Sequence, residues 1–208
     1  MIIAVDGPAA SGKGTIARRL SDDLNFAYLD TGNIYRGIAL NLIDSGGDVA
    51  NDHDCLNASR NLDLTKFSEE ELRKEETGII ASKVAFKPLV RSSVLEFQRF
   101  FARNPGDGFG GAVLDGRDIG TVVCPNAEKK IFVTADIEIR VQRRLKELNE
   151  KGLRVIESRV RADLVLRDER DSSRSVAPLK PAKDAWILDT SNMDVDQAFS
   201  AALKYIRS

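Results

Sequence analysis

A glycine-rich stretch near the start of the chain, G-x-x-x-x-G-K-G-T at residues 7–15, constrains its fold more than any other feature. The apolar residues 2–5 directly before it predict a short buried strand. The apolar positions after it repeat at helical spacing, so a helix is predicted from Lys13 onward. A strand, a glycine loop and a helix N-terminus together form an anion site, because the first-turn N–H groups lack intrahelical partners and carry the positive end of the dipole.

The residue types in this loop fit a nucleoside triphosphate. Lys13 can follow the β- and γ-phosphates, and Thr15 offers a hydroxyl to Mg²⁺. A glycine-rich turn without a ligand is the alternative, and the strand and helix on either side of the loop argue against it. We predict that the whole loop contacts the nucleotide: Gly7, Pro8, Ala9, Ala10, Ser11, Gly12, Lys13, Gly14 and Thr15.

Length and composition predict a soluble enzyme of one domain. The chain has 208 residues, with 31 Lys and Arg against 32 Asp and Glu, so no overall charge favours nucleic acid or a membrane surface. No apolar run approaches the ~20 residues of a spanning helix. There is no signal-peptide pattern, and Cys55 and Cys124 are interpreted as reduced thiols. We expect a cytoplasmic monomer without nucleic-acid or membrane partners, and a solvated loop around the single histidine, His53.

Predicted strands and helices alternate along the chain. Further strands are predicted at 26–30, 112–115, 130–133 and 186–189. A turn is predicted at 31–33. Residues 48–76 are predicted to be irregular, except that the charged run 68–76 is interpreted as a solvated helix face. Helices are predicted after 33, at 77–103 with a break at Pro88, from Asp136, and after Asp194. This order predicts an α/β fold of the P-loop type, with a five-stranded parallel sheet and helices on both faces.

Polar residues follow three of the predicted strands. They lie at 6–7, 30–32 and 115–118. Each group alone is typical of a turn. Because ligands bind at the carboxyl ends of parallel strands, we expect the three groups to line one cleft with the glycine loop.

Arginines near this predicted cleft suit phosphoryl transfer. Arg36 lies one turn into a helix, and Arg117 follows the third strand. The pattern R-x-x-R-D-x-x-R at 167–174 places its arginines on one helical face. Guanidinium groups hold phosphate oxygens bidentately and keep their charge, which is what the transfer requires. The same pattern is equally typical of a solvated ion-pair face, and the spacing alone does not decide between the two.

From end to end, the chain resembles the bacterial cytidylate kinases, within the nucleoside monophosphate kinase family. The matching segments are residues 7–15, 29–36, 82–85 with Arg91, 115–123, 130–132, and 167–171 with Arg174 before 177–179. The phosphate loop is shared widely among relatives. The stretch D-G-R-D-x-G-T-V-V and the R-D-x-R-D-x-x-R pattern are much more specific.

The resemblance implies that ATP, with Mg²⁺, phosphorylates CMP and dCMP to their diphosphates. It implies a core at 1–30, 104–151 and 176–208, a monophosphate-binding part at 31–103 and a lid at 152–175. The family's CMP contacts carry over to Thr31, Arg36, Ser82, Arg91, Arg117, Asp118, Arg167, Asp171 and Arg174. The residues implied to be catalytic are Lys13, Arg117, Arg167 and Arg170.

Side-chain chemistry suggests how these implied contacts divide their roles. Arg36 and Arg117 are expected at the CMP phosphate. Arg91 and Asp118 are expected at the pairing edge of cytosine, with Ser82 and Arg174 nearby. Asp171 and Arg167 are expected at the ribose, and Arg170 at the phosphoryl group that is transferred.

Two other functions remain open from the sequence. One is a kinase of another acceptor, such as UMP, AMP or shikimate, although the pair Arg91 and Asp118 argues against shikimate, which has no base edge. The other is a P-loop switch that binds ATP and signals to a partner. A switch needs no second arginine-lined phosphate site, so CMP should not affect its loss of ATP.

Overall fold

The computed structural model describes all 208 residues and contains a five-stranded parallel sheet. The strands are β1 (Ile2–Asp6), β2 (Ala27–Asp30), β3 (Ala112–Gly116), β4 (Lys129–Thr134) and β5 (Trp186–Asp189). Their order is β2-β3-β1-β4-β5, so the strand that leads into the glycine loop is the central one. The predicted α/β class and the five-stranded parallel sheet are confirmed.

Helices connect these strands. They are α1 (Lys13–Leu24), α2 (Thr31–Asp44), α3 (Asp52–Arg60), α4 (Glu69–Leu72), α5 (Glu75–Val84), α6 (Pro88–Arg103), α7 (Ile137–Glu150), α8 (Glu157–Ser172) and α9 (Val195–Arg207). A 3₁₀ turn at Leu64–Lys66 and a π-helical segment at Ile119–Val123 complete the regular structure. The break predicted at Pro88 is confirmed, since proline suits the first position of a helix and begins α6.

Two local predictions are wrong. Residues 48–76, predicted to be irregular outside the charged run 68–76, contain α3, so His53 is an exposed helical residue and does not lie in a loop. The helix α4 lies within the charged run, where a helix face was expected. The buried face of α3 is made of small residues, which leaves little apolar periodicity, and its start is fixed by the Asn51 side chain as a cap. The turn predicted at 31–33 is the first turn of α2.

The chain divides into two compact units: residues 1–29 with 102–208, and residues 30–101. In the first unit, Ile3 and Val5 of β1 belong to a buried cluster with residues of α1 and α9. Trp186 packs against this cluster and stacks on Tyr205. Both cysteines are buried and unbridged.

In the second unit, α2 packs against α3 and α5, and its residues Ile34 and Ile38 are fully buried. No helix in the protein is both long and apolar enough to span a membrane.

Candidate active site

The glycine loop turns between β1 and α1 in a form that only glycine permits at two positions. At Gly7, a Cβ atom would lie 2.1 Å from the carbonyl oxygen of Val133 on β4. Gly12 precedes α1 with a φ of 89°, in the left-handed region that favours glycine. No side chain caps α1, so its first N–H groups are not taken by a capping residue. The predicted start of this helix at Lys13 is confirmed.

Two arginines of α7 hold the glycine loop from outside. Arg143 donates to the carbonyl oxygen of Ser11 at 3.1 Å and to the carbonyl oxygen of Thr190 at 2.8 Å. Arg140 donates to the carbonyl oxygen of Ala9 at 3.3 Å and is buried. Neither residue was predicted from the sequence, because arginine is rarely buried and its partners here are distant backbone carbonyls that no local pattern reveals.

A buried carboxylate, Asp115 near the end of β3, lies beside the start of α1. A Cβ atom at Gly14 would be 3.0 Å from Asp115 Oδ2, and the Tyr28 hydroxyl donates to that same oxygen at 3.1 Å. The carboxylate therefore lies against the helix turn that includes Thr15.

Arg117, Asp171 and Arg174, which the sequence analysis assigned to CMP, form a buried ion-pair cluster in the first unit. Arg117 Nε donates to Asp171 Oδ2 at 2.9 Å, and the Arg174 guanidinium donates to Asp171 Oδ1. Burial opposes ionisation of Asp171, but the charges of Arg117 and Arg174, with Arg167, outweigh it and hold the pKa of Asp171 below its ordinary value. The pattern at 167–174 is therefore not a solvated ion-pair face, because its aspartate and last arginine are buried.

We expect Asp171→Asn to lower the unfolding free energy at neutral pH by about 3–5 kcal/mol, because two largely buried guanidinium groups lose their counter-charge. The folded pKa of Asp171 lies below its ordinary value, so its stabilising contribution is present above that value and is lost as the pH falls through the folded pKa. Urea unfolding at pH 7 and at successively lower pH should show that the difference in unfolding free energy between the wild type and Asp171→Asn decreases as the pH falls. The exposed pair of Asp196 with Arg19 provides the control, and equal stability of Asp171→Asn and Asp196→Asn at pH 7 would contradict the prediction.

The other assigned residues of the first unit lie around this cluster. Asp118 is buried and directly precedes the π-helical segment, while Arg167 and Arg170 are half-buried on α8. Arg140 also donates to Asp168 of α8 at 2.6 Å, a contact that was not predicted from the sequence. Because Arg140 donates to Ala9 as well, it connects α8 to the glycine loop.

In the second unit, Arg36 is held against the start of α5. Its guanidinium donates to the carbonyl oxygen of Leu72 at 2.7 Å. A Cβ atom at Gly78 would lie 3.1 Å from Arg36 Nη2, so the absence of a side chain there leaves room for the guanidinium. Thr31, also assigned to CMP, is buried as the first residue of α2.

The remaining two assigned residues of this unit are also buried. Arg91 on α6 donates to the carbonyl oxygen of Ala85 at 3.4 Å, and its guanidinium carbon lies 5.7 Å from the centre of the Tyr35 ring. Ser82 lies on the buried side of α5. Tyr35 lies in the segment 29–36 that carries the resemblance, where no role was predicted for it. Its cation–π contact helps to place Arg91.

Comparison with known proteins decides the family. A family model described as cytidylate kinase matches residues 3–208. The chain belongs to the cytidylate kinase family. Among its relatives, the cytidylate kinase of Paramagnetospirillum magneticum is 56% identical over 207 residues, covering 100% of this chain and 98% of the relative. That of Rhodospirillum rubrum is 53% identical over 203 residues, covering 98% and 95%.

A solved structure supports the fold independently of close sequence similarity. The crystal structure of an uncharacterized protein from Eubacterium ventriosum is 17% identical and has a TM-score of 0.57, covering 100% of this chain and 99% of that one. This likeness concerns the fold alone. Family membership confirms the resemblance that the two specific arginine motifs indicated.

Proposed function

We propose that this member of the cytidylate kinase family transfers the γ-phosphoryl group of ATP to CMP, giving CDP and ADP. The observation that carries the proposal is the buried arginine cluster around Asp171, in the same unit as the glycine loop. A nucleotide switch needs only the loop. Arg117 and Arg174, which both pair with Asp171, provide a second group of guanidinium donors, and guanidinium groups suit a second phosphate.

The donor nucleotide is assigned to the glycine loop. The first N–H groups of α1 and the Lys13 ammonium bind the β- and γ-phosphates. Arg140 and Arg143 fix the loop, so that these donors keep their direction while charge moves onto the leaving ADP. Phosphoryl transfer needs little covalent help from the protein, and positioning of this kind supplies most of the catalysis.

The residues near the start of α1 fit Mg²⁺. The Asp115 carboxylate lies against the helix turn that includes the Thr15 hydroxyl, and oxygen atoms are the ligands Mg²⁺ prefers. When bound, the ion offsets negative charge on the phosphates. Tyr28, which donates to Asp115, orients the carboxylate toward this task.

The acceptor CMP is assigned to the residues that the family resemblance implies. Arg36 and Arg117 bind the phosphate of CMP, and Arg91 with Asp118 binds the pairing edge of cytosine. Both base-reading side chains are buried, so a wrong base would lose its hydrogen bonds to them without replacement by water. Thr31, Ser82 and Arg174 are also assigned to contacts with CMP.

The sugar is assigned to Asp171 and Arg167. A carboxylate has about four acceptor sites, and Arg117 and Arg174 occupy two of those on Asp171, so it can still accept from a ribose hydroxyl. We include dCMP among the substrates, since the hydroxyl it lacks is only one of several contacts. Arg170 is assigned to the phosphoryl group in transit. The lid at 152–175, a cytoplasmic location and a monomeric state stay predictions.

The experiment that tests this proposal compares acceptors at saturating ATP. ADP release, coupled to a reporter enzyme, is measured with CMP, dCMP, UMP, AMP and shikimate. We expect CMP and dCMP to give the highest kcat/KM, because cytosine combines an amino donor for Asp118 with a ring-nitrogen and a carbonyl acceptor for Arg91. Uracil and shikimate lack the amino donor, and adenine lacks the carbonyl. A higher value for AMP, UMP or shikimate would assign the protein to another acceptor.

A further inference from the structure

Asp6, the last residue of β1, is a buried carboxylate that the donor and acceptor assignments leave without a role. It is only 4% exposed. Its Oδ1 atom accepts a hydrogen bond from the N–H of Ile119 at 2.8 Å, and its Oδ2 atom accepts one from the N–H of Gly120 at 2.8 Å. Because each oxygen has its own donor, the carboxylate fixes both the distance and the orientation of the two peptide groups.

These two peptide groups begin the π-helical segment Ile119–Val123. The first N–H groups of a helical segment have no partners within it. Asp118 directly precedes the segment, yet its side chain makes no capping hydrogen bond. Asp6, 113 residues away from Ile119 in sequence, therefore takes the place of the capping residue.

The contact is also closely packed. A Cβ atom at Gly120 would lie 3.4 Å from Asp6 Oδ2 and 3.2 Å from Lys130 Cδ, so the segment has little room to shift. The backbone of Asp6 is fixed in turn by the sheet, where it stands opposite Gly116 of β3 and Phe132 of β4. The Asp6 side chain thus links the segment directly to the central strand.

Ionisation of this side chain opposes stability. Burial raises the pKa of Asp6 from 3.8 to about 7, although the N–H groups of Gly120 and Ile119 lower it; the charge of Asp118 raises it and that of Arg117 lowers it. The folded protein therefore binds this proton more tightly than the unfolded chain does, and its stability falls as the pH rises between these two values. A buried carboxylate that lowers stability in this way is typical of a functional position.

We propose that Asp6 is a positioning residue for CMP, which holds the start of the π-helical segment and thereby fixes Arg117 and Asp118, directly before it, relative to the glycine loop that starts at Gly7. The inference rests on the proposed function, which assigns Arg117 to the phosphate and Asp118 to the base. Asp6 is adjacent in sequence to the donor loop and is hydrogen-bonded to the segment that follows the acceptor-binding residues. One carboxylate therefore connects the two binding regions.

The test replaces Asp6 by asparagine, which keeps the size but puts an amide N–H group where one N–H donor needs an acceptor. We expect KM for CMP to rise about tenfold or more, as for the loss of a charge-assisted hydrogen bond. KM for ATP should remain at the wild-type value, and the preference for CMP over UMP, expressed as a ratio of kcat/KM, should decrease. Steady-state kinetics with each substrate varied in turn measure all three.

Asp194→Asn is the matched control, because Asp194 caps α9 by accepting from the Gln197 N–H and lies outside both binding regions. It should leave both KM values unchanged. If Asp6 only stabilised the fold, Asp6→Asn would lower the melting temperature while both KM values stayed the same, and the proposal would be overturned. Should Asp6→Asn fail to fold, Gly120→Ala disturbs the same contact from the other side and should give the same pattern of KM values.

A double-mutant cycle with Arg117→Ala separates this inference from the proposed function. If Asp6 acts through Arg117, Asp6→Asn should raise KM for CMP less in the Arg117→Ala background than in the wild type. If the two substitutions raise KM for CMP by independent factors that multiply, the inference about Asp6 is overturned, while the proposed function stands. An unchanged KM for CMP in Arg117→Ala itself would overturn both, since the phosphate contact would be wrongly assigned.

Discussion

Replacement of Lys13 by alanine should lower kcat for phosphoryl transfer roughly 10²–10³-fold, the usual loss when one electrostatic group that stabilises the transition state is removed. Lys13 is the first residue of α1, and its charge adds to the N–H groups of the same helix turn. These groups face negative charge that increases on the β-phosphate as the γ-phosphoryl group departs. Lys13 is not part of a buried core cluster, so the variant should fold.

Lys146→Ala is the matched control for Lys13→Ala. Lys146 lies on α7, and its side chain is 81% exposed, so its removal should change neither kcat nor the melting temperature. The circular dichroism spectra of both variants should match that of the wild type. Near-normal turnover in a folded Lys13→Ala variant would contradict the assignment of the glycine loop to ATP.

The second large effect concerns the base. We expect Asp118→Ala to lower kcat/KM for CMP by about 10–100-fold, the range for loss of a hydrogen bond to a charged group, and to lower it far less for UMP. Cytosine offers an amino donor that the Asp118 carboxylate can accept, whereas uracil places a carbonyl oxygen there, which the carboxylate repels. Because Asp118 is 5% exposed, water cannot compensate for the wrong base.

Kinetics with CMP and UMP on the same preparation measure this change in selectivity. The control is Asp107→Ala, which removes an exposed carboxylate from the loop before β3 and should leave the selectivity unchanged. If kcat/KM falls by the same factor for both nucleotides in Asp118→Ala, Asp118 does not read the base.

Features written in contiguous sequence were predictable. The glycine loop, the start of α1 and the strands of the sheet follow from local residue types and spacing. The capping box of Asp194 and Gln197 at α9 could also be predicted from the sequence, because its two residues are three positions apart. By contrast, α3 was missed, since its polar sequence forms a helix only through its cap and a narrow face of small residues.

The supporting contacts of the site could not be predicted in the same way. The hydrogen bonds from the Ile119 N–H to Asp6 and from Arg143 to Ser11 join residues more than 100 positions apart in sequence. The residue type alone does not show whether an aspartate or arginine is buried, and only the folded chain shows which partner its side chain contacts. The pattern at 167–174 illustrates this, because its spacing fits an exposed ion-pair face equally well until Asp171 is seen to be buried.

The most direct test of the central claim follows the γ-phosphoryl group itself. The protein is incubated with ATP labelled at the γ-phosphate, with and without CMP, and the products are separated. We predict that the label appears in CDP, one for each ADP formed, and that little ADP forms without CMP. Release of the label as inorganic phosphate at a rate that CMP does not change would contradict phosphoryl transfer to CMP and indicate a nucleotide-hydrolysing switch.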